Sequence, residues 1–143
     1  MKLSNRFLIF LAGLLPLGAC ARAPMAVAVS AEVLAQGATL YEQSCAICHY
    51  DGKGSSINPP LIGARSITQS DPTALLRIIL HGVGGQTDSD GKFVKAIMPA
   101  QDSFSDEEIA AVSAYVRAAF GKQNETIPLD LVAKVRAEKP AEN

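Results

Sequence analysis

The sequence predicts an all-α domain, and three observations carry that expectation. Apolar residues recur at three- and four-residue steps in several stretches, which is helical spacing. Those stretches open on capping residues, and the segments between them are rich in Gly, Ser, Asn and Pro. No stretch alternates apolar and polar residues convincingly enough to be a strand, and there is no internal repeat. At 143 residues the chain is one domain with extensions.

The first expected helix covers residues 31–43. Ser30 is placed to cap it ahead of Glu32 and Val33, and Leu34, Ala38 and Tyr41 form an apolar stripe. Residues 50–69 read as a loop without regular structure. Asp71-Pro72 then opens a second helix, an N-cap residue followed by proline at the first helical position. Leu75, Leu76, Ile79 and Leu80 give its buried face, and Gly82 stops it. The stretch "GVGGQTDSDGK" is a further loop with Asp90-Gly91 as its tight turn. Residues 88–91 match a calcium loop only loosely, lacking the third aspartate and the distal glutamate, and read as a solvated turn. Ser105 and Glu108 have capping-box spacing, with Asp106 and Glu107 suited to a helix N-terminus. Ile109, Val112, Tyr115, Val116 and Ala119 follow at helical spacing, and Gly121 ends this helix. Residues 129–137 are expected as a short helix on the surface, because the segment ends in polar residues.

The N-terminus reads as an export signal. Lys2 and Arg6 precede an apolar run over residues 7–17, too short to span a bilayer core, which needs about 20 residues. Leu17-Gly18-Ala19-Cys20 resembles a bacterial lipobox, which implies a signal peptide over residues 1–19, acylation of Cys20 and anchoring to a membrane through lipid. The alternative is an ordinary signal peptide cleaved further on, near Ala26 or Ala28. Residues 20–30 are small and weakly polar and read as a tether, residues 31–121 as the domain, and residues 122–143 as a C-terminal extension. Loss of Lys2 and Arg6 from the 13 basic residues leaves 11 against 14 acidic ones, a formal charge of −3. With only 19% charged residues and that balance, the composition excludes a basic nucleic-acid binder and a disordered tail.

The chemistry concentrates in "SCAICHYDGKG", which holds two of the three cysteines and one of the two histidines. A redox dithiol, half a zinc site and a covalently held haem all use cysteines at this spacing. Zinc needs four ligands, and beyond Cys45, Cys48 and His49 the chain offers only His81 and Cys20. A thioredoxin-like dithiol wants a βαβ context, whereas this motif follows one helix and precedes a loop. Haem attachment uses every part of the motif, since the Cys45 and Cys48 thiols add to the two vinyl groups and His49 is the proximal iron ligand.

Around this motif, over residues 31–121, the chain resembles the class I cytochromes c. Gly37 and Tyr41 stand eight and four positions before Cys45, as the family's glycine and aromatic do, and the resemblance implies that they pack against Tyr115 near the haem. "NPPLIGA" matches the family's Pro-Xaa-Leu-Xaa-Gly loop through Pro59, Leu61 and Gly63. This implies that the Pro59 carbonyl, or that of Pro60, accepts the other ring N–H of His49. Met98, followed by Pro99 just before the last long helix, matches the family's axial methionine, with His81 as its rival. The implied fold is that of class I cytochrome c, three to four helices and loops wrapped around one covalent haem c.

"LLRIILHGVGG" and "MPAQDSFSDEEIAAVSAYVRAAFG" look like the modules that accompany periplasmic alcohol, aldehyde and sugar-acid dehydrogenases, although such relatives often carry three haem motifs and this chain has one. The resemblance implies a periplasmic single-haem carrier and no enzymatic activity of its own. A periplasmic dehydrogenase would be its donor and a terminal oxidase or another cytochrome its acceptor. The alternatives are a cytochrome subunit permanently bound to such a dehydrogenase, and a haem enzyme or sensor with an open or displaceable sixth ligand.

Overall fold

The computed structural model describes residues 27–55, 58–84 and 98–138. The signal peptide, Cys20, most of the tether and the turn at Asp90-Gly91 lie outside the described residues. Among the described residues the fold is all-α, with no strand and two isolated bridges, Ala28 with Glu125 and Val83 with Met98. No helix among them is long and apolar enough to cross a membrane.

Helix α1 (Ala31–Ser44) starts where Ser30 Oγ accepts the Val33 N–H at 3.3 Å, satisfying one of the free donors of the first turn. Its fully buried positions are Gly37 and Tyr41, with Leu34 only partly covered. Helix α2 (Ala46–His49) follows after one residue. The stretch expected to lack regular structure contains one helical turn, α3 (Arg65–Thr68), which puts Ile67 into the core. Helix α4 (Thr73–His81) begins one residue later than expected: Pro72 is its N-cap rather than its first helical residue, and Asp71, just before it, accepts the Thr73 N–H on Oδ1 at 2.9 Å. Leu75, Leu76, Ile79 and Leu80 form its buried face, and Gly82 ends it at φ +73°.

Helix α5 (Asp106–Gly121) is the centre of the molecule. Both bonds of its capping box are made, Glu108 N–H to Ser105 Oγ at 3.2 Å and Ser105 N–H to Glu108 Oε2 at 2.9 Å. The helix is buried on most sides because α1, α3, α4 and α6 (Leu129–Arg136) all pack on it. Gly121 does not act as the helix stop: it is the last helical residue, and Lys122 takes the left-handed conformation at φ +57°. What requires a glycine at position 121 is proximity, since a Cβ there would stand 2.7 Å from Ile67 Cγ2 and 2.8 Å from its carbonyl oxygen.

Helix α6 corrects the expectation of a surface helix. Val132 and Val135 are fully buried in the core cluster, and α6 packs on α4 and α5. Its polar residues occupy the other face, as an amphipathic helix on a core requires. Three polar links fasten its last turn. Arg77 of α4 grips Glu138 with two nitrogens, at 2.5 and 2.9 Å, and His81 Nε2 donates to the Val135 carbonyl at 2.9 Å. Arg136 Nε meets Asp106 Oδ1 at 2.7 Å. Arg117 of α5 is wholly buried. Its guanidinium donates to the carbonyls of Gln69 (2.8 Å), Ser70 (3.2 Å) and Ile67 (3.3 Å) and to Glu125 Oε2 (3.3 Å), so it closes the C-terminal end of α3.

Candidate functional site

The site grows out of the junction of α1 and α2. Cys45 caps α1, its N–H donating to the Tyr41 carbonyl at 2.8 Å, and the chain continues directly into a second turn. The Cys48 and His49 N–H groups both donate to the Cys45 carbonyl, at 3.1 and 2.9 Å, and Tyr50 at φ +50° breaks the turn. Residues three and four apart on a helical turn share a face, so Cys45, Cys48 and His49 point to one side. That side is the wall of an almost wholly apolar cavity of about 340 Å³.

Two loops close the cavity. In the first, the chain after Tyr50 folds back on itself. Leu61 N–H donates to the Gly52 carbonyl at 2.8 Å, and Asn58 Nδ2 donates to the Cys48 carbonyl at 2.9 Å, which ties the loop to the cysteine turn. A Cβ at Gly54 (φ +76°) would stand 2.6 to 2.8 Å from Asn58, Pro59 and Pro60 backbone atoms, so a side chain at position 54 would spoil this fold-back. Pro59 and Pro60 reach the cavity wall. The expected bond from His49 to the Pro59 carbonyl is not made. His49 Nδ1 is buried without a partner, and the loop is fastened through Asn58 instead.

In the second loop Met98 and Val83 exchange both backbone hydrogen bonds, each 2.9 Å long, and Gln101 N–H donates to the Ile79 carbonyl at 2.9 Å. A Cβ at Gly82 would stand 2.5 Å from the Met98 carbonyl oxygen, so glycine is what lets the two segments pair. Met98 lines the cavity with Ile79, Val83 and Phe104. His81 does not line it; its Nε2 is engaged by Val135.

Tyr41 also lines the cavity, and its hydroxyl donates to the Tyr50 carbonyl at 2.9 Å. Behind it stand Tyr115 and Phe120, with ring centroids 5.5 and 5.3 Å away, so the aromatic contact is a trio rather than the expected pair. Phe120 also covers Gly52, where a Cβ would fall 2.5 Å from its ring. Tyr115 contributes to the packing but not to the cavity wall. Asn58 and Phe120 are the site residues that sequence reasoning missed. Asn58 is signalled only by its place before Pro59-Pro60, and Phe120 only by its position five after Tyr115.

The electrostatics separate the chemistries open to the motif. Burial, and then the neighbouring Cys48, push the Cys45 thiol up to about 11, whereas a reactive dithiol needs a thiol pKa below the ordinary value. Burial lowers the His49 imidazole pKa, which keeps the ring neutral and able to coordinate a metal. Among the described residues there is no group of three or more His, Cys, Asp or Glu side chains that could hold a metal ion by itself. The donor set that does converge is two thiols, one imidazole and one thioether on a mostly apolar cavity. Two free thiols on one helical face, with an imidazole and a thioether on the wall of the same mostly apolar cavity, fit a covalently held haem.

Comparison with known proteins agrees with this geometry. A family model described as Cytochrome c matches residues 34–119. The chain is 40% identical over 106 residues to the fructose dehydrogenase cytochrome subunit of Gluconobacter japonicus, covering 71% of this chain and 22% of that one. It is 36% identical over 104 residues to the alcohol dehydrogenase (quinone) cytochrome c subunit of Komagataeibacter europaeus, covering 70% and 22%. It is also 32% identical over 115 residues to cytochrome c-552 of Thermus thermophilus, covering 73% and 87%. The chain thus spans about a fifth of the length of these two dehydrogenase subunits and most of the length of the c-552.

Proposed function

The chain belongs to the cytochrome c family, and from that premise we propose that it is an electron-transfer protein rather than an enzyme, a periplasmic carrier holding a single haem c. The observation that carries this reading is the convergence of Cys45, Cys48, His49 and Met98 on one apolar cavity. Cys45 and Cys48 would hold the haem through thioether bonds, and His49 and Met98 would bind its iron. When bound, the haem supplies a one-electron couple, and thioether sulfur ligation with an apolar surround raises its reduction potential. The rest is done by the chain: α1 and α2 fix the two thiols and the imidazole on one face, the Val83 bridge holds Met98 in place, and the mostly apolar wall would limit the access of water. Pro59 and Tyr41 would shape the wall beside His49, and Tyr115 would support Tyr41 from behind.

In this reading a periplasmic dehydrogenase reduces the protein, and an oxidase or another cytochrome reoxidises it. Lipidation at Cys20 would hold it at a membrane and raise its concentration near membrane partners. The 40% identity to a fructose dehydrogenase cytochrome subunit favours a second reading, permanent association with a dehydrogenase, which co-purification of a large catalytic chain would support. Visible spectra of the purified protein with and without reductant are the test, with intact mass beside them. One added haem mass and a reversible low-spin spectrum are expected; no added haem mass overturns the reading. Met98→Ala should abolish the red-edge absorption of ferric iron–thioether bonding and let ferrous protein bind carbon monoxide rapidly at neutral pH. Rapid binding by the unaltered protein would instead favour an enzyme or sensor with an open sixth position.

A further inference from the structure

The segment that carries Met98 is held from two directions, and one of them is a helix outside the matched family region. From Met98 to the start of α5 the chain runs through an irregular turn whose residues Gln101 and Phe104 also line the cavity. Its first anchors come from α4 and the residues after it: the paired bonds with Val83, and Gln101 N–H on the Ile79 carbonyl. Its last anchors come from α6. Arg136 spreads its guanidinium over three acceptors there, Nη2 on the Phe104 carbonyl at 2.7 Å, Nε on Asp106 Oδ1 at 2.7 Å and Nη1 on the Asp102 carbonyl at 3.3 Å. The same turn of α6 accepts the His81 ring hydrogen bond through Val135, at the end of α4 that leads into Val83. The last turn of α6 therefore touches the elements on both sides of Met98.

From this geometry we infer that Arg136 is a positioning residue for the axial methionine, with His81 as its counterpart on α4; the inference rests on Met98 being the sixth ligand. A methionine sulfur is a neutral, weakly held ligand, so the freedom of the segment behind it decides how easily another ligand takes its place. Displacement requires the turn over residues 98–104 to swing away from the cavity. Arg136 opposes that swing with charge-assisted bonds to two carbonyls of the turn, and its planar fork can reach them and Asp106 together. Lysine has one nitrogen and cannot. Residues 129–136 lie beyond the matched stretch 34–119, so this restraint is supplied from outside the matched region.

The test is imidazole binding to ferric holoprotein, followed in the visible spectrum, with the midpoint potential measured alongside. Arg136→Ala should bind imidazole about tenfold more tightly, as expected when hydrogen bonds to a charged group that restrain the turn are lost. Arg136→Lys should behave similarly although it keeps the charge beside Asp106, and it carries the test if the alanine variant fails to accumulate. Arg77→Ala serves as the comparison, because it cuts the Glu138 link of the same helix end without touching the methionine segment; its imidazole affinity should equal that of the unaltered protein. Imidazole affinities within about twofold of the unaltered protein in both Arg136 variants would overturn the inference. Equal tightening in Arg77→Ala would also overturn it, because α6 would then act only through general stability. The red-edge band in the unaltered ferric protein reports Met98 ligation independently. Its absence overturns the ligand assignment and this inference together, whereas its presence with unresponsive Arg136 variants overturns this inference alone.

Discussion

Replacing Gly37 by alanine tests the contact on which the site is hung. An added Cβ would stand 2.2 Å from the Ala111 carbonyl oxygen and 2.7 Å from Tyr115 Cβ, while real Cβ atoms essentially never come closer than 3.0 Å. Helices α1 and α5 must therefore part by about the 0.8 Å between 2.2 and 3.0. The obstruction is a backbone carbonyl inside a helix, which cannot rotate away as a side-chain tip could. A radial gap of this size forfeits roughly a quarter to a half of the dispersion attraction of every pair across the interface. Overpacking of a close-fitted core costs about 1–3 kcal/mol, and the rigid obstruction places this case at the upper end. Alanine returns about 1 kcal/mol through its better helix propensity, so the net loss is about 2 kcal/mol. That corresponds to about a thirtyfold fall in the folded-to-unfolded ratio. The assay is a denaturant titration of holoprotein, read as a lower midpoint at unchanged slope. Gly84→Ala is the control, because no atom of the described residues stands within 4 Å of a Cβ built there, and it should shift stability by less than about 0.5 kcal/mol. A Gly37→Ala protein as stable as the unaltered one would refute the close approach of the two helices.

Val132→Ala removes two buried methyl groups from a fully covered site on α6 and should cost about 2 kcal/mol in the same titration; a loss below about 0.5 kcal/mol would mean that α6 is not part of the core. Acid sensitivity has a named contributor in Glu138. Its hydrogen bonds from Arg77, and then Arg77's charge, hold its carboxyl below the ordinary value of 4.5. A depressed folded-state value means that this stabilisation is present above 4.5 and is lost as pH falls through the lowered value. Glu138→Gln should therefore be less stable than the unaltered protein at neutral pH and equal to it at pH values below that titration. A gap that persists in acid would show that the pair acts by packing rather than by charge.

The parts of this molecule legible in the sequence are those set by local chemistry. Ser30, Asp71 and the Ser105–Glu108 capping box mark helix starts through bonds spanning two or three residues, and each bond is present. The cysteine turn is local as well, so spacing alone is enough to put Cys45, Cys48 and His49 on one face. Gly37 is legible through the resemblance, and the Ala111 contact supplies its physical reason. What stays hidden depends on distant partners. The buried face of α6 is two valines with Leu131 packed beside them, interleaved with Asp130, Lys134 and Arg136, and only contact with α4 and α5 makes them core. Nothing near Arg117 in the sequence signals its burial, because the carbonyls that converge on it, those of Ile67, Gln69 and Ser70, lie nearly fifty positions away. His81 carries no local signal of its role because its partner, Val135, is 54 residues on.

The pairing of Gly37 with Ala111 also has a meaning for chain entropy. It closes a loop of about 70 residues, and the entropy of closing such a loop is roughly 4 kcal/mol before any contact is gained. The cysteine turn, by contrast, needs only hydrogen bonds over three and four residues. The turn is therefore the cheaper of the two to close, and the α1–α5 contact is the one that must offset the greater loss of chain freedom.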